Sequence, residues 1–71
     1  MRLEIGYGTT IYGTVEETAA GLLVAGNGAD AQRRLENIVR NMRRFRQSDH
    51  DLMVELPRQL TSRLWAREVR Q

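Results

Sequence analysis

Apolar positions recur along this chain with two different periods. Between Ala29 and Gln47, the residues Ala31, Leu35, Ile38, Met42 and Phe45 are spaced 4, 3, 4 and 3 apart, the repeat of a single apolar seam on an α-helix. At roughly 100° per residue these side chains fall in one sector of the helical wheel. Arg33, Asn37, Arg40 and Arg44 occupy the opposite sector, with Arg34 and Asn41 beside them. The spacing therefore predicts a long amphipathic helix over 29–47, with one face seeking a core and the other presenting guanidinium groups. Asp30 in its first turn and Arg43, Arg44 and Arg46 in its last turns suit the helix dipole.

The first third of the chain has the other period. Leu3, Ile5 and Tyr7 alternate with Arg2, Glu4 and Gly6, as in a half-buried strand. Gly8-Thr9 suits a turn. Thr10 to Val15 then predicts a second strand, with Ile11 and Val15 on one face. The stretch from Glu16 to Ala25 admits two readings. Thr14 and Glu17 have the spacing of a capping box that would open a helix. Alternatively, Leu22-Leu23-Val24 between Gly21 and Gly26 is a third strand, reached through a turn at Glu17–Ala20. The strand reading is preferred, which makes this third of the chain a β-hairpin extended to a three-stranded antiparallel meander.

After Gln47 comes a polar joint in which Ser48 or Asp49 can cap the next element. Residues 51–56 fit either a strand, with Leu52, Val54 and Leu56 alternating, or a short helix. Pro57 disfavours helix at Leu56 and suits the first turn of a new helix, so a C-terminal helix is predicted over 58–70. Leu60, Leu64 and Trp65 would turn inward, and Arg63, Arg67 and Arg70 would form a second arginine stripe. The fold class that follows is α+β: the N-terminal hairpin or meander, then the long amphipathic helix, then the C-terminal helix. In this packing the seam of the long helix meets Leu60, Leu64, Leu3, Ile5, Ile11 and Val15.

Composition narrows the chemistry. Seventy-one residues make one small domain, 1–71, and chains of this size bury only about 60% of their unfolded surface. The absence of cysteine excludes disulfides, thiolate zinc sites and iron–sulfur clusters. With His50 as the lone histidine, a histidine-rich metal site is excluded too. That leaves self-association as a homodimer, or a very well packed core, as the aid to stability. No run approaches the roughly 18 apolar residues that cross a bilayer, and Met1-Arg2 leads directly into Leu3-Glu4-Ile5, so a cytoplasmic protein away from membranes is expected. The formal charge is +2, and all eleven cationic side chains are arginine. Coding bias accounts for that, as does selection for forked donors that grip phosphates or carboxylates in pairs.

Three motifs invite a chemical reading. Val24–Ala31 sets an apolar run and a glycine loop before a helix, the shape of a phosphate cradle. Yet Ala31 stands where a dinucleotide fingerprint has its third glycine, and Asp30 opposes phosphate. A plain strand–turn–helix connection is expected instead. Asp49-His50-Asp51 brings two carboxylates near an imidazole, without a recognisable nucleophile and with too few oxygens for a calcium loop. It reads as an exposed helix entry. Finally, Leu52-Met53-Val54-Glu55-Leu56-Pro57, followed by Leu60 and Leu64, resembles the opening of a ribbon-helix-helix repressor. That family runs an alternating strand through Leu-Pro into a helix with leucines four apart. The resemblance covers 52–64 and implies a DNA-facing strand, although Asp51 and Glu55 flank Met53 on that face.

The function expected is that of a small non-enzymatic regulator or inhibitor binding a larger protein, with no cofactor and no metal. By size it is comparable to compact proteins of phage and mobile elements. Arg33, Asn37, Arg40 and Arg44 would supply charge-assisted hydrogen bonds, with Tyr7, Tyr12 or Trp65 as aromatic anchors. The alternative is a dimeric nucleic-acid-binding regulator that sets the same arginines on phosphates.

Overall fold

The computed structural model describes residues 1–45, 48–60 and 63–69. They form, in chain order, β1 (Arg2–Tyr7), β2 (Thr10–Thr18), β3 (Gly21–Gly26), α1 (Ala29–Arg43), α2 (Asp49–Gln59) and β4 (Leu64–Glu68). The fold is α+β. An antiparallel sheet of order β3-β2-β1-β4 carries both helices on one face and leaves the other open. α1 lies over β2 and β3, and α2 over β2 and β4.

The N-terminal meander has the expected shape, and Glu16–Ala25 is strand, turn and strand. Its register contains a bulge. Ile5 pairs with Gly13, but Gly6 pairs with Ile11, leaving Tyr12 as the extra residue on β2. Beyond the bulge the alternation shifts. Val15 stays in the core while Ile11 shares the open face with Gly6 and is 36% exposed. The expected common face for Ile11 and Val15 is thereby corrected. Periodicity cannot register a bulge, because an extra residue breaks the period it relies on.

The core is one cluster: Leu3, Ile5 and Val15 from the sheet, Leu35, Val39 and Met42 from α1, and Leu52, Met53 and Leu56 from α2. Ile38 and Leu60 pack at its margin. The α1 seam is thus Leu35, Val39 and Met42, with Val39 one turn beyond Leu35. Phe45, expected to close the seam, is 79% exposed. The cause lies in the last turn, where Arg44 N–H reaches the Asn41 carbonyl (3.3 Å) and Phe45 N–H the Met42 carbonyl (3.2 Å). These bonds close the final turn, and Phe45, two residues past the end of α1 at Arg43, lies beyond the helical seam. α1 ends at Arg43; Arg46 and Gln47, the rest of the expected helix, lie outside the described residues.

The second helix is present but lies earlier than 58–70. It starts at Asp49 because the Ser48 hydroxyl accepts the Asp51 N–H at 3.1 Å and because Asp49 and Asp51 occupy its first turn. Pro57 sits within its last turn, where its missing N–H removes one hydrogen bond close to the helix end. The reading of Pro57 as a helix start is overturned. So is the strand that the ribbon-helix-helix resemblance implies, since residues 52–56 are helical and Leu52, Met53 and Leu56 are fully buried.

The end of the chain is extended. β4 pairs with β1, with Ile5 opposite Ala66 and Gly6 opposite Trp65. Leu64 and Ala66 face the helices, while Trp65 and Arg67 lie on the open face. Neither the inward C-terminal helix nor a second helical arginine stripe forms: Arg67 is on a strand, and Arg70 lies outside the described residues. The indole of Trp65 lies flat over Gly6, where a Cβ would be driven into its ring, and its Nε1–H donates to the Gly8 carbonyl at 2.7 Å. Arg67 covers the indole at 5.5 Å and donates through Nε to Glu4 Oε1 at 2.8 Å.

Two variants test this arrangement. Leu52→Ala removes a side chain with no solvent exposure and is expected to cost about 2–5 kcal/mol, read as a fall in the urea midpoint. Gly6→Ala displaces the indole from the sheet, so the Trp65 emission maximum is expected to move to longer wavelength and thermal stability to fall. An unchanged emission spectrum would show that the ring does not rest on Gly6.

Candidate partner-binding surface

The outer face of α1 keeps the sector that its spacing defines. Arg33, Asn37, Arg40 and Arg44 are all exposed and follow one another along the helix, each one turn from the next. Arg40 Nη1 lies 3.4 Å from Asn37 Oδ1. Among the described residues none of Arg33, Arg40 and Arg44 forms an ion pair with a carboxylate. The neighbouring arginines are engaged. Arg43 Nη2 donates to Asp49 Oδ1 at 2.6 Å, tying the end of α1 to the start of α2.

Arg34 turns aside to the sheet. Its Nη1 donates to the Tyr12 hydroxyl at 3.1 Å, and its guanidinium carbon lies 5.8 Å from the ring centroids of both Tyr7 and Tyr12. The two rings stack with centroids 6.0 Å apart and planes 9° apart. Tyr12 reaches this position through the bulge, which turns it to the helix side. Local sequence could not signal the trio, because Arg34 and Tyr12 are 22 residues apart and Tyr12 faces α1 only through an irregular register.

At the C-terminal end of the stripe lies an open depression of about 380 Å³ lined by Asn41, Met42, Phe45 and Gln59. Phe45 stands at its rim, the most exposed of the large hydrophobic side chains. It was expected in the core, so its place on the surface was missed. The outer face of α1 thus carries guanidinium groups that, among the described residues, have no carboxylate partner, and an exposed aromatic ring and a hollow lie near its C-terminal end.

Not every expected residue joins this surface. Arg33, Asn37, Arg40 and Arg44 share it, and Tyr12 flanks it by way of Arg34. Trp65 does not, because it lies on the open face of the sheet, away from both helices, with its polar atom satisfied internally.

The other motifs resolve into structural roles. In the Gly26–Gly28 loop, the Gly26 N–H donates to Gln32 Oε1 (2.6 Å) and the Asn27 N–H to the Tyr12 carbonyl (2.6 Å). Donors that a phosphate would need are thereby committed within the chain, as a strand–turn–helix connection implies. Asp49-His50-Asp51 is the entry of α2, with His50 Nδ1 3.4 Å from Glu17 Oε1. Among the described residues no group of three or more His, Cys, Asp or Glu side chains could hold a metal ion, and no helix is long and apolar enough to cross a membrane. No protein-family model, curated protein or solved structure matches this chain, so its own geometry carries the functional reading.

Arg34→Met keeps an apolar stem while removing the cation and its donor. The expected loss is about 0.5–1 kcal/mol at this exposed site, measured by urea unfolding, with the Tyr7 and Tyr12 ring resonances moving in the NMR spectrum. If the ring shifts match those of the wild type, Arg34 does not organise the pair.

Proposed function

We propose that this chain is a small non-enzymatic regulatory or inhibitory protein of the cytoplasm, acting by occupying an acidic surface on a larger protein. The observation that carries the reading is the proximity, near the C-terminal end of α1, of Phe45 at 79% exposure beside its hollow to the stripe Arg33, Arg40 and Arg44. Protein interfaces concentrate their binding energy in aromatic and arginine anchors at such places. Guanidinium groups with no carboxylate partner among the described residues are available for paired hydrogen bonds to one supplied by a partner. Asn37 adds an uncharged donor and acceptor within the stripe.

The second reading is a nucleic-acid-binding regulator, favoured by the Arg34, Tyr7 and Tyr12 cluster, since aromatic and guanidinium planes also stack on bases. Against it, the Tyr7 and Tyr12 rings already stack on each other, and a formal charge of +2 gives a weak field for phosphate.

One binding experiment discriminates. Nuclease-treated lysate is passed over immobilised wild-type protein, the double variant Arg40→Glu/Arg44→Glu, and Phe45→Ala. The expected result is a protein partner retained by the wild type despite nuclease, with affinity lowered roughly tenfold or more by each variant. Retention that disappears with nuclease, falls log-linearly with salt and ignores Phe45→Ala would favour the second reading. Indifference to both variants would remove this face of α1 from either function.

A further inference from the structure

The two edges of the sheet are finished differently. Along a strand, successive residues turn their N–H and C=O groups to opposite sides. On β3, the pairing of Thr18 with Gly21 and of Thr14 with Ala25 is of the hydrogen-bonded kind, so Leu22, Val24 and Gly26 direct their groups outward. The C-terminal end of that edge is covered: the Gln32 carboxamide accepts from the Gly26 N–H at 2.6 Å and donates to the Val24 carbonyl at 3.1 Å. It does what one residue of a neighbouring strand would do.

β4 has no such cover. Val69 N–H donates to the Arg2 carbonyl (2.9 Å) and Gly8 N–H to the Arg63 carbonyl (3.0 Å). Arg63, Trp65, Arg67 and Val69 therefore turn towards β1, and Leu64, Ala66 and Glu68 turn their polar groups outward. Among the described residues, nothing hydrogen-bonds to those outward groups. An uncovered edge of this kind is a template for another strand.

We propose that β4 is the self-association edge of this protein, two copies pairing antiparallel through Leu64–Glu68 with the two-fold axis at Ala66. Symmetric pairing leaves few registers, and charge selects among them. An axis at Trp65 sets Arg63 opposite Arg67 of the second copy; one at Arg67 sets arginine opposite arginine, and one at Glu68 sets glutamate opposite glutamate. Like charges directly opposite are destabilising. An axis at Leu64 leaves Glu68 beyond the paired strand. The axis at Ala66 pairs all of β4. It matches Leu64 with Glu68 and Ala66 with itself through their outward groups, and it sets each Trp65 beside Arg67 of the other copy on the open face. The same two residues already approach as a cation–π pair within one chain, at 5.5 Å, so the axis extends a favourable contact. The two sheets then run on as one, and neither copy retains a bare β4 edge.

Light scattering across a dilution series tests the proposal. The expected mass is twice 8.2 kDa in concentrated protein, falling to 8.2 kDa on dilution. Over the same series, residue-resolved amide exchange should slow roughly tenfold or more at Leu64, Ala66 and Glu68 when the dimer forms, while Trp65 and Arg67 are protected throughout. Ala66→Pro removes only an outward N–H, a position where an edge strand accepts proline. It is expected to keep the wild-type circular dichroism and to remain at 8.2 kDa at every concentration. A wild type that stays at the single-chain mass overturns the proposal, as does a dimer whose three outward amides exchange independently of concentration, or a folded Ala66→Pro variant that still dimerises. Should the proline variant not fold, the exchange profile of the wild type decides by itself.

Discussion

One sheet face has to be kept from water, and the rest of the molecule is arranged by that requirement. Leu3, Ile5 and Val15 form a narrow apolar strip along the centre of the helix-facing side, too small to be stable if left bare. A single helix of about 15 residues cannot span four strands, so α1 covers β2 and β3 and a second helix must cover the remainder. α2 meets that need with three fully buried residues in a little over one turn: Leu52, Met53 and Leu56. The dense burial of α2 also explains why Pro57 is accommodated within it. One absent hydrogen bond near a helix end weighs less than removing three apolar side chains from their common core.

The central place of β1 is the second consequence. With β2 on one side, its other edge carries the polar groups of Arg2, Glu4, Gly6 and Gly8, which require partners. β4 supplies them by returning to lie antiparallel, and Trp65 closes over the glycine that permits its approach. The pairing joins residues about sixty positions apart, as in the Arg67–Glu4 contact. Nothing local in the sequence announces such a partner.

These two demands shape the surface on which function is proposed. The reversal between α1 and α2 requires α1 to stop at Arg43, and Phe45, beyond that end, is left exposed near the end of the arginine stripe. The β2 bulge brings Tyr12 to the helix side, where Arg34 is drawn out of the stripe and onto the two tyrosines. The sheet leaves Trp65 on its far face. The outer side of α1 is therefore narrower in arginine than the helical wheel suggests, because Arg34 and Arg43 serve internal contacts, and richer in aromatic surface, because Phe45 is added to it.

What could be read from the residue order is what depends on neighbours a few positions apart. The period-2 alternation of β1, the glycine-bounded strand β3, the 3-and-4 spacing of α1 and the outward sector of Arg33, Asn37, Arg40 and Arg44 all follow from local stereochemistry, which sequence records directly. The glycine loop and the Asp49–Asp51 entry were legible for the same reason. Tertiary structure alone decided between periods where both were present. Leu60 and Leu64 have a helical spacing, while Leu64 and Ala66 alternate with Trp65 and Arg67, and the unpaired edge of β1 selected the strand. It also decided the bulge at Tyr12, the burial of Val39 in place of Phe45, and the separation of Trp65 from the arginines. Each of these turns on a contact between distant segments, whose free energy exceeds the small local preferences that a single sequence expresses.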